Sequence, residues 1–342
     1  MSKYFSLFFL FIHISVSAQT GGTTSFQNLN TNYTARHLGL AGDFISVFDA
    51  DHTLAFSNPA LLNDQSTNRG SLSQTLLAGG INTGQLSYSK SFDKLSTMGH
   101  FRYIAYGKMT RRDETGANLG TFSPGDFILG GTVSKAINER MHIGGTLNIL
   151  YSQLDNYIAF GSSIDLGGIY HNDDKNLVVS GVVKNLGVQF KGFTTERYPL
   201  PLEVQLGVSK KLAHAPFRFS LIAQQLQRWD LSYVDPTAQP TIDALSGDTI
   251  PVKTDNFAVK LFRHAVIQTE ILAGQKVHLR FGFDYNRRKE LALSNRPGLA
   301  GFSFGLGLYF KRFSIDYGWM IYSSAGGQHG VSLSLPIKGK SQ

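Results

Sequence analysis

The sequence predicts an all-β fold: a fourteen-stranded antiparallel transmembrane β-barrel with an N-terminal segment plugging its lumen. Three observations carry this reading. Runs of strand length alternate in polarity, short and long connections alternate between them, and mean hydropathy is near zero (−0.09) despite abundant Phe and Tyr. The alternation is clearest in residues 276–337. There Val277, Leu279, Phe281, Phe283 and Tyr285 fall on one face, with His278, Arg280, Gly282, Asp284 and Asn286 on the other. Further on, Phe313, Ile315, Tyr317, Trp319 and Ile321 oppose Ser314, Asp316, Gly318, Met320 and Tyr322. A period of two belongs to strands. A greasy face opposite a polar, charged one is what a strand between lipid and an aqueous lumen requires.

Composition agrees. The chain has 342 residues, room for one large barrel, and only 16% of them are charged, with 36 Gly, 25 Phe and 14 Tyr. A barrel hides its hydrophobicity in the average because only alternate residues meet lipid. The net charge of +8 is modest for a barrel and calls for no nucleic-acid partner. With no cysteine there is no disulfide, thiolate chemistry or cysteine-linked lipid anchor. Residues 1–18 read as a signal peptide: Lys3, an apolar core over 5–16, and Val16-Ser17-Ala18 before Gln19. No later stretch is apolar for long enough to make a transmembrane helix.

Residues 19–68 form the expected hatch. Within them, 33–62 lack a clean period of two yet mix many apolar side chains with Arg36, His37, Asp43, Asp49, Asp51 and His52. Irregular backbone of this kind is tolerated inside a barrel, where protein surrounds it. Asn58 reads as a cap with Pro59 as the first residue of a short helix. Residues 69–337 are the barrel and 338–342 a tail. The candidate strands are 70–77, 83–91, 98–108, 126–136, 140–151, 158–170, 176–184, 202–210, 216–227, 264–273, 276–287, 299–310, 312–322 and 329–336. Connections after even strands are short; those after odd strands include 109–125, 185–201, 228–263 and 288–298. Tight periplasmic turns and long outer loops predict this, with both termini periplasmic. The longest loop, 228–263, is too long for a turn. It offers Trp229, Tyr233 and Asp235 as docking candidates, and a helical turn at 257–263.

Few motifs carry chemistry. Gly301-Phe302-Ser303-Phe304-Gly305 matches a nucleophile elbow on paper, but the elbow needs a strand-to-helix turn and this pentapeptide runs on as a strand. Asp49-Ala50-Asp51-His52 lacks the glycine and glutamate of a calcium loop. The carboxylates Asp43, Asp49, Asp51, Asp284 and Asp316 are expected instead to pair with Arg36, Arg280 and other lumenal cations, since buried charges need partners. His142, His278 and Glu203 are further candidates for the inner face. No catalytic, metal or cofactor-binding residue is expected. Glycines at 130–131, 144–145, 167–168, 305 and 307 allow curvature and close packing. Tyr88, Tyr106, Tyr151, Tyr170, Tyr309, Tyr322 and Trp229, near strand ends, suit interfacial girdles.

The block Ala35-Arg36-His37-Leu38-Gly39-Leu40-Ala41-Gly42, with Asp49-Ala50-Asp51 and Leu54 to Leu62 around Asn58-Pro59-Ala60, resembles the N-terminal region of the PorV and PorQ outer-membrane proteins of the Bacteroidetes type IX secretion system. These are similar in fold to the fatty-acid transporter FadL, whose hatch carries the same Asn-Pro-Ala signature. Arg263 to Glu270 and Leu279 to Asn286 resemble barrel strands of that family. The resemblance implies a non-enzymatic barrel in a Gram-negative outer membrane. Its implied role is in the type IX attachment complex, anchoring a PorZ-like surface protein and supporting cargo attachment to the cell surface, with the PorU/PorV sortase complex and outer-membrane lipid or lipopolysaccharide as further partners. The alternative is a FadL-like transporter for hydrophobic solutes, which an apolar tunnel would favour and a lumen filled by paired charges would oppose. A surface β-sandwich adhesin is a third reading.

Overall fold

The computed structural model describes residues 23–93, 95–232, 240–242, 249–250, 254–292, 298–323 and 326–337. The signal peptide, Tyr233, Asp235 and the tail 338–342 lie outside the described residues.

Fourteen strands close into one antiparallel barrel, each paired with its sequence neighbours. They are β1 (Arg69–Leu76), β2 (Asn82–Phe92), β3 (Leu95–Ala105), β4 (Gly125–Asn138), β5 (Met141–Leu154), β6 (Tyr157–Asn172) and β7 (Leu177–Lys191). The second half comprises β8 (Glu203–Lys211), β9 (Phe217–Ala223), β10 (Ala265–Ala273), β11 (Val277–Asp284), β12 (Phe302–Tyr309), β13 (Ser314–Ser323) and β14 (Gly326–Pro336). The seam joins β1 to β14, from Arg69 opposite Pro336 to Leu76 opposite His329. A single closed sheet leaves no second layer, so the sandwich reading falls.

Each strand shows lipid to one face and the lumen to the other. On β1, Leu72 is 58% exposed while Ser71, Ser73 and Thr75 are buried. Leu86, Leu129, Ile143, Leu206, Leu221 and Ile267 continue the outer apolar belt. With so much apolar side chain outside, the buried clusters form where the N-terminal segment meets the wall.

Connection lengths alternate in part: four of the seven connections at one end are long, while β1–β2, β5–β6 and β13–β14 at that end are joined by short connections. Turns at 93–94, 139–140, 173–176, 212–216, 274–276 and 310–313 share one end of the barrel, and 106–124, 192–202, 224–264 and 285–301 share the other. The 106–124 connection carries a hairpin, Met109–Arg112 against Asn118–Phe122.

Several expectations need correction. The strand expected over 216–227 ends at Ala223, and Gln225 takes a left-handed φ of 54°. The one expected over 276–287 ends at Asp284, whose carboxylate accepts the Arg287 N–H at 3.0 Å. That cap starts a helix over Tyr285–Leu291, so Tyr285 and Asn286 are helical rather than extended. The one expected over 176–184 runs on to Lys191, past an irregularity where Asn185 has φ 61°. Tyr88, Tyr151 and Tyr170 face outward as a girdle would. Tyr106 and Tyr309 instead turn inward, to Asp126 and Arg280, and Tyr322 lies under the Arg287 guanidinium.

Residues 23–68 thread the lumen from end to end. The Ser25 N–H donates to Pro199 O in the 192–202 loop at 2.9 Å, while Ile337 N–H donates to Asn68 O at 2.7 Å beside the start of β1. The first described residues therefore lie at the long-loop end, opposite Asn68 and Ile337. The cause is the path: a hatch spanning the whole lumen must begin opposite the end where β1 starts.

Candidate functional site

The hatch holds α1 (Ala35–Gly39) and several single turns. Thr34 caps α1, accepting the His37 N–H at 3.4 Å, and its hydroxyl lies 2.8 Å from His37 Nδ1. Asn58 caps the Pro59–Leu61 turn, its Oδ1 accepting Ala60 N–H at 3.0 Å, as the sequence predicts. Short turns leave many backbone groups unpaired, so the wall must satisfy them. Gln268 of β10 does so twice, its amide donating to Leu40 O at 2.7 Å and Asp43 O at 2.8 Å.

Glycines make the close approach feasible. A Cβ on Gly39 would stand 2.8 Å from the Gly305 Cα, and one on Gly318 would overlap Ala35 O and Gly39 N. A Cβ on Gly282 would strike Leu40 and Ala41, one on Gly144 would meet the Pro59 carbonyl carbon at 2.5 Å, and one on Gly167 would strike Asn58. These glycines, on β5, β6 and β11 to β13, are the seats of the hatch.

Charge then fixes the seated hatch. Arg36 lies 2.8 Å from Asp49, 2.9 Å from Asp51 and 3.1 Å from Glu270 on β10. Glu270 also pairs with Arg218 of β9 at 2.6 Å and Arg280 of β11 at 3.0 Å, and Arg280 reaches Asp316 of β13 at 2.6 Å. Arg36, Glu270 and Arg280 are nearly inaccessible to solvent. Removing such charges from water is costly unless each is paired and hydrogen-bonded, and here one carboxylate receives three guanidinium groups. Seven side chains thus form one lock between hatch and wall.

A second tie lies nearer the long loops. Asp43 meets Lys184 at 2.6 Å and accepts Gln205 Nε2 at 2.9 Å. On the hatch side the Ser57 hydroxyl donates to Asp43 at 3.1 Å and stands 2.9 Å from His37 Nε2. Burial holds the His37 imidazole neutral by pushing its pKa down to about 4, so it joins the network as a polar spacer rather than a cation.

Around the long-loop mouth, a cavity of about 670 Å³ opens between the 106–124 and 192–202 loops. Phe26 and Ala159 help to floor it, and Tyr106, Met109, Phe193 and Tyr198 stand around it. Beneath lies an apolar cluster of Phe26, Leu29, Ile128, Leu150, Ala159 and Leu200. An Arg111–Asp155 ion pair ties the hairpin to the β5–β6 turn at its side. Below this level the lumen holds the hatch and its paired charges.

The sequence candidates divide cleanly. Arg36, Asp49, Asp51, Arg280 and Asp316 converge in the lock, while Asp43 belongs to the second tie. Asn58 and Pro59 sit against β5 and β6, and Asp284 caps Tyr285–Leu291 and pairs with Arg287 at 3.3 Å. Trp229 is exposed at the mouth, its ring tilted against Phe257 at 5.4 Å between centroids. Glu270 and Arg218, central to the lock, were missed. Their signal was available, a charged residue on the inward face of an alternating strand, as with Glu270 two positions after Gln268. Ser303 is buried in β12 with no helix after it, which removes the elbow geometry. Among the described residues no His, Asp or Glu trio is arranged to hold a metal.

No family model matches the chain, and no curated protein matches it. Among solved structures it is similar to the Pseudomonas putida toluene transporter TodX at 14% identity over 88% of this chain and 96% of that one, with a TM-score of 0.54. It is similar to a Pseudomonas aeruginosa FadL homologue at 12% identity over 90% and 98%, TM-score 0.51. A TodX deletion mutant, described as a monoaromatic hydrocarbon channel, gives 14% identity over 90% and 99%, TM-score 0.52. The fold is thus that of FadL-like outer-membrane barrels. The narrower resemblance to PorV and PorQ rests on the sequence motifs, and the comparisons lend it no support.

Proposed function

We propose that this chain is an outer-membrane uptake barrel that admits small apolar molecules at its long-loop mouth, with the hatch as its gate. The mouth cavity is the observation that carries the reading: it is mostly apolar, large enough for a small ligand, and floored by the hatch itself. The similar barrels described as a toluene transporter and a hydrocarbon channel support the same class of solute. Below this cavity lie the hatch and the charged lock, so passage requires the hatch to shift. The test is uptake of a radiolabelled monoaromatic, toluene, by cells expressing the chain. Uptake well above an empty-vector control, reduced several-fold by Phe193→Asp at unchanged barrel abundance, is expected; uptake at the control level would sink the reading.

A second reading, anchoring of a surface protein of the type IX attachment machinery, is favoured by one feature. The longest loop presents an exposed apolar group, Trp229, Phe257, Leu261 and Phe262, around α2 (Phe257–Arg263). Such patches mark contact surfaces. Affinity purification of the barrel from its native membrane checks it: a surface protein that is retained by the wild type and lost with Trp229→Ser and Phe257→Ser supports anchoring, and recovery of the barrel alone counts against it.

A further inference from the structure

The lining of the mouth cavity holds one polar group with an open valence. Gln189 of β7 faces inward between Val188 and Phe190, which point outward at 54% and 48% exposure, as a period of two dictates. Gln189 itself is 9% exposed. Its Oε1 accepts the Tyr198 backbone N–H of the 192–202 loop at 2.9 Å. The hatch holds that loop in turn, its Ser25 hydroxyl donating to Tyr198 O at 3.1 Å. Reversing the amide would set Nε2 against the Tyr198 N–H, donor against donor, so the orientation is fixed by chemistry. Gln189 Nε2 is therefore turned away from the loop backbone, and it makes no hydrogen bond among the described residues. Asn28, on the hatch side of the cavity, also has an unpartnered amide, but both its polar atoms are closed off from solvent, whereas Gln189 Nε2 is not.

The other polar groups show which partner fits this donor. Asp126 is already served by the Tyr106 hydroxyl at 2.6 Å and by the Ser152 hydroxyl. Glu196 accepts the Tyr198 hydroxyl at 2.7 Å. These two carboxylates line the cavity, and among the described residues no Lys, Arg or His lines it with them. A carboxylate solute would meet their field without a counter-charge. A pure hydrocarbon would displace water from Gln189 and leave its amide donor bare, which lowers affinity. A neutral oxygen on an apolar body satisfies the donor, while the body itself packs against Phe26, Met109 and Phe193.

We propose that the mouth cavity selects neutral solutes carrying a hydrogen-bond-accepting oxygen on an apolar body, aryl ketones among them, and that Gln189 Nε2 is the donor that reads the oxygen. This rests on the reading of the cavity as the solute entrance and names the class it takes. The test is equilibrium dialysis of the full-length barrel in phospholipid nanodiscs, with partitioning into empty nanodiscs subtracted. Three radiolabelled probes of similar size are compared: acetophenone, ethylbenzene and benzoate. Acetophenone is expected to bind saturably and about tenfold more tightly than ethylbenzene, the worth of one hydrogen bond, with benzoate weakest. Gln189→Glu keeps an acceptor for the Tyr198 N–H but offers no donor, and Gln189→Met keeps neither. Both are expected to bind acetophenone about tenfold more weakly and ethylbenzene as wild type does, a contrast that a merely loosened loop would not give. Heat-modifiable electrophoretic mobility confirms that the variants are folded. The selectivity is overturned, with the entrance reading intact, if ethylbenzene or benzoate binds wild type as tightly as acetophenone, or if both variants keep the wild-type preference. Absence of saturable binding by any probe overturns the entrance reading and the selectivity together.

Discussion

Glu270 illustrates how much one side chain can decide. It sits on the polar face of β10 and accepts three guanidinium groups, two from the wall and one from the hatch. Deleting it leaves Arg36, Arg218 and Arg280 crowded together with a shared acid gone. Glu270→Ala is therefore expected to destabilise the folded barrel by about 3–5 kcal/mol, measured by urea titration in detergent. Arg36→Ala should cost less, because Glu270 keeps two partners and Asp51 keeps the Thr53 N–H at 3.0 Å and hydroxyl at 2.7 Å. Its main effect is to free the hatch, seen as faster trypsin cleavage near residues 36–52 in an otherwise intact barrel. Equal stability of Glu270→Ala and wild type would refute the lock.

At the scale of elements, hatch and wall are fitted by what the wall lacks. The glycines on β5, β6 and β11 to β13 leave slots that α1 and the Pro59–Leu61 turn fill to backbone contact. Gly318→Val would push against Ala35 and Gly39 and is expected to cost about 1–3 kcal/mol in hatch seating, as overpacking does. Planar-bilayer recordings check this: the variant should show larger and more frequent openings than wild type, and unchanged conductance would mean the seat tolerates the side chain. The sequence pattern showed these glycines inside strands but not their purpose. Period-two alternation assigns a glycine to a face, whereas what lies across the lumen from it depends on residues far away in the sequence. Strand ends were misjudged for a related reason. The Asp284 cap and the left-handed Gln225 are local decisions that override a continuing alternation.

For the whole molecule, the outer surface and the lumen have exchanged the usual roles of a globular protein, with leucines outside and ion pairs inside. Leu72, midway along β1, faces outward at 58% exposure. Leu72→Arg is expected to lower stability by about 2–4 kcal/mol in lipid vesicles, the cost of a cation near the bilayer midplane. The same substitution in an aqueous-facing sheet would be nearly neutral, so a change within error would deny the transmembrane reading of this belt.

What the sequence determined by itself was the strand count, the two-faced character of each strand, the alternation of loops and the existence of a charged, irregular hatch. These follow from local physics: a period of two, turn chemistry and the mismatch of 33–62 with any regular element. Tertiary structure alone decided which charges meet, that Glu270 and Arg218 complete the lock around Arg36, and that the hatch enters from the long-loop end. The reason is closure. A barrel brings β8, β9, β11 and β13 around one lumen, and pairings across that space are set by strand order, shear and the path of the hatch, none of which leaves a periodic mark in the chain.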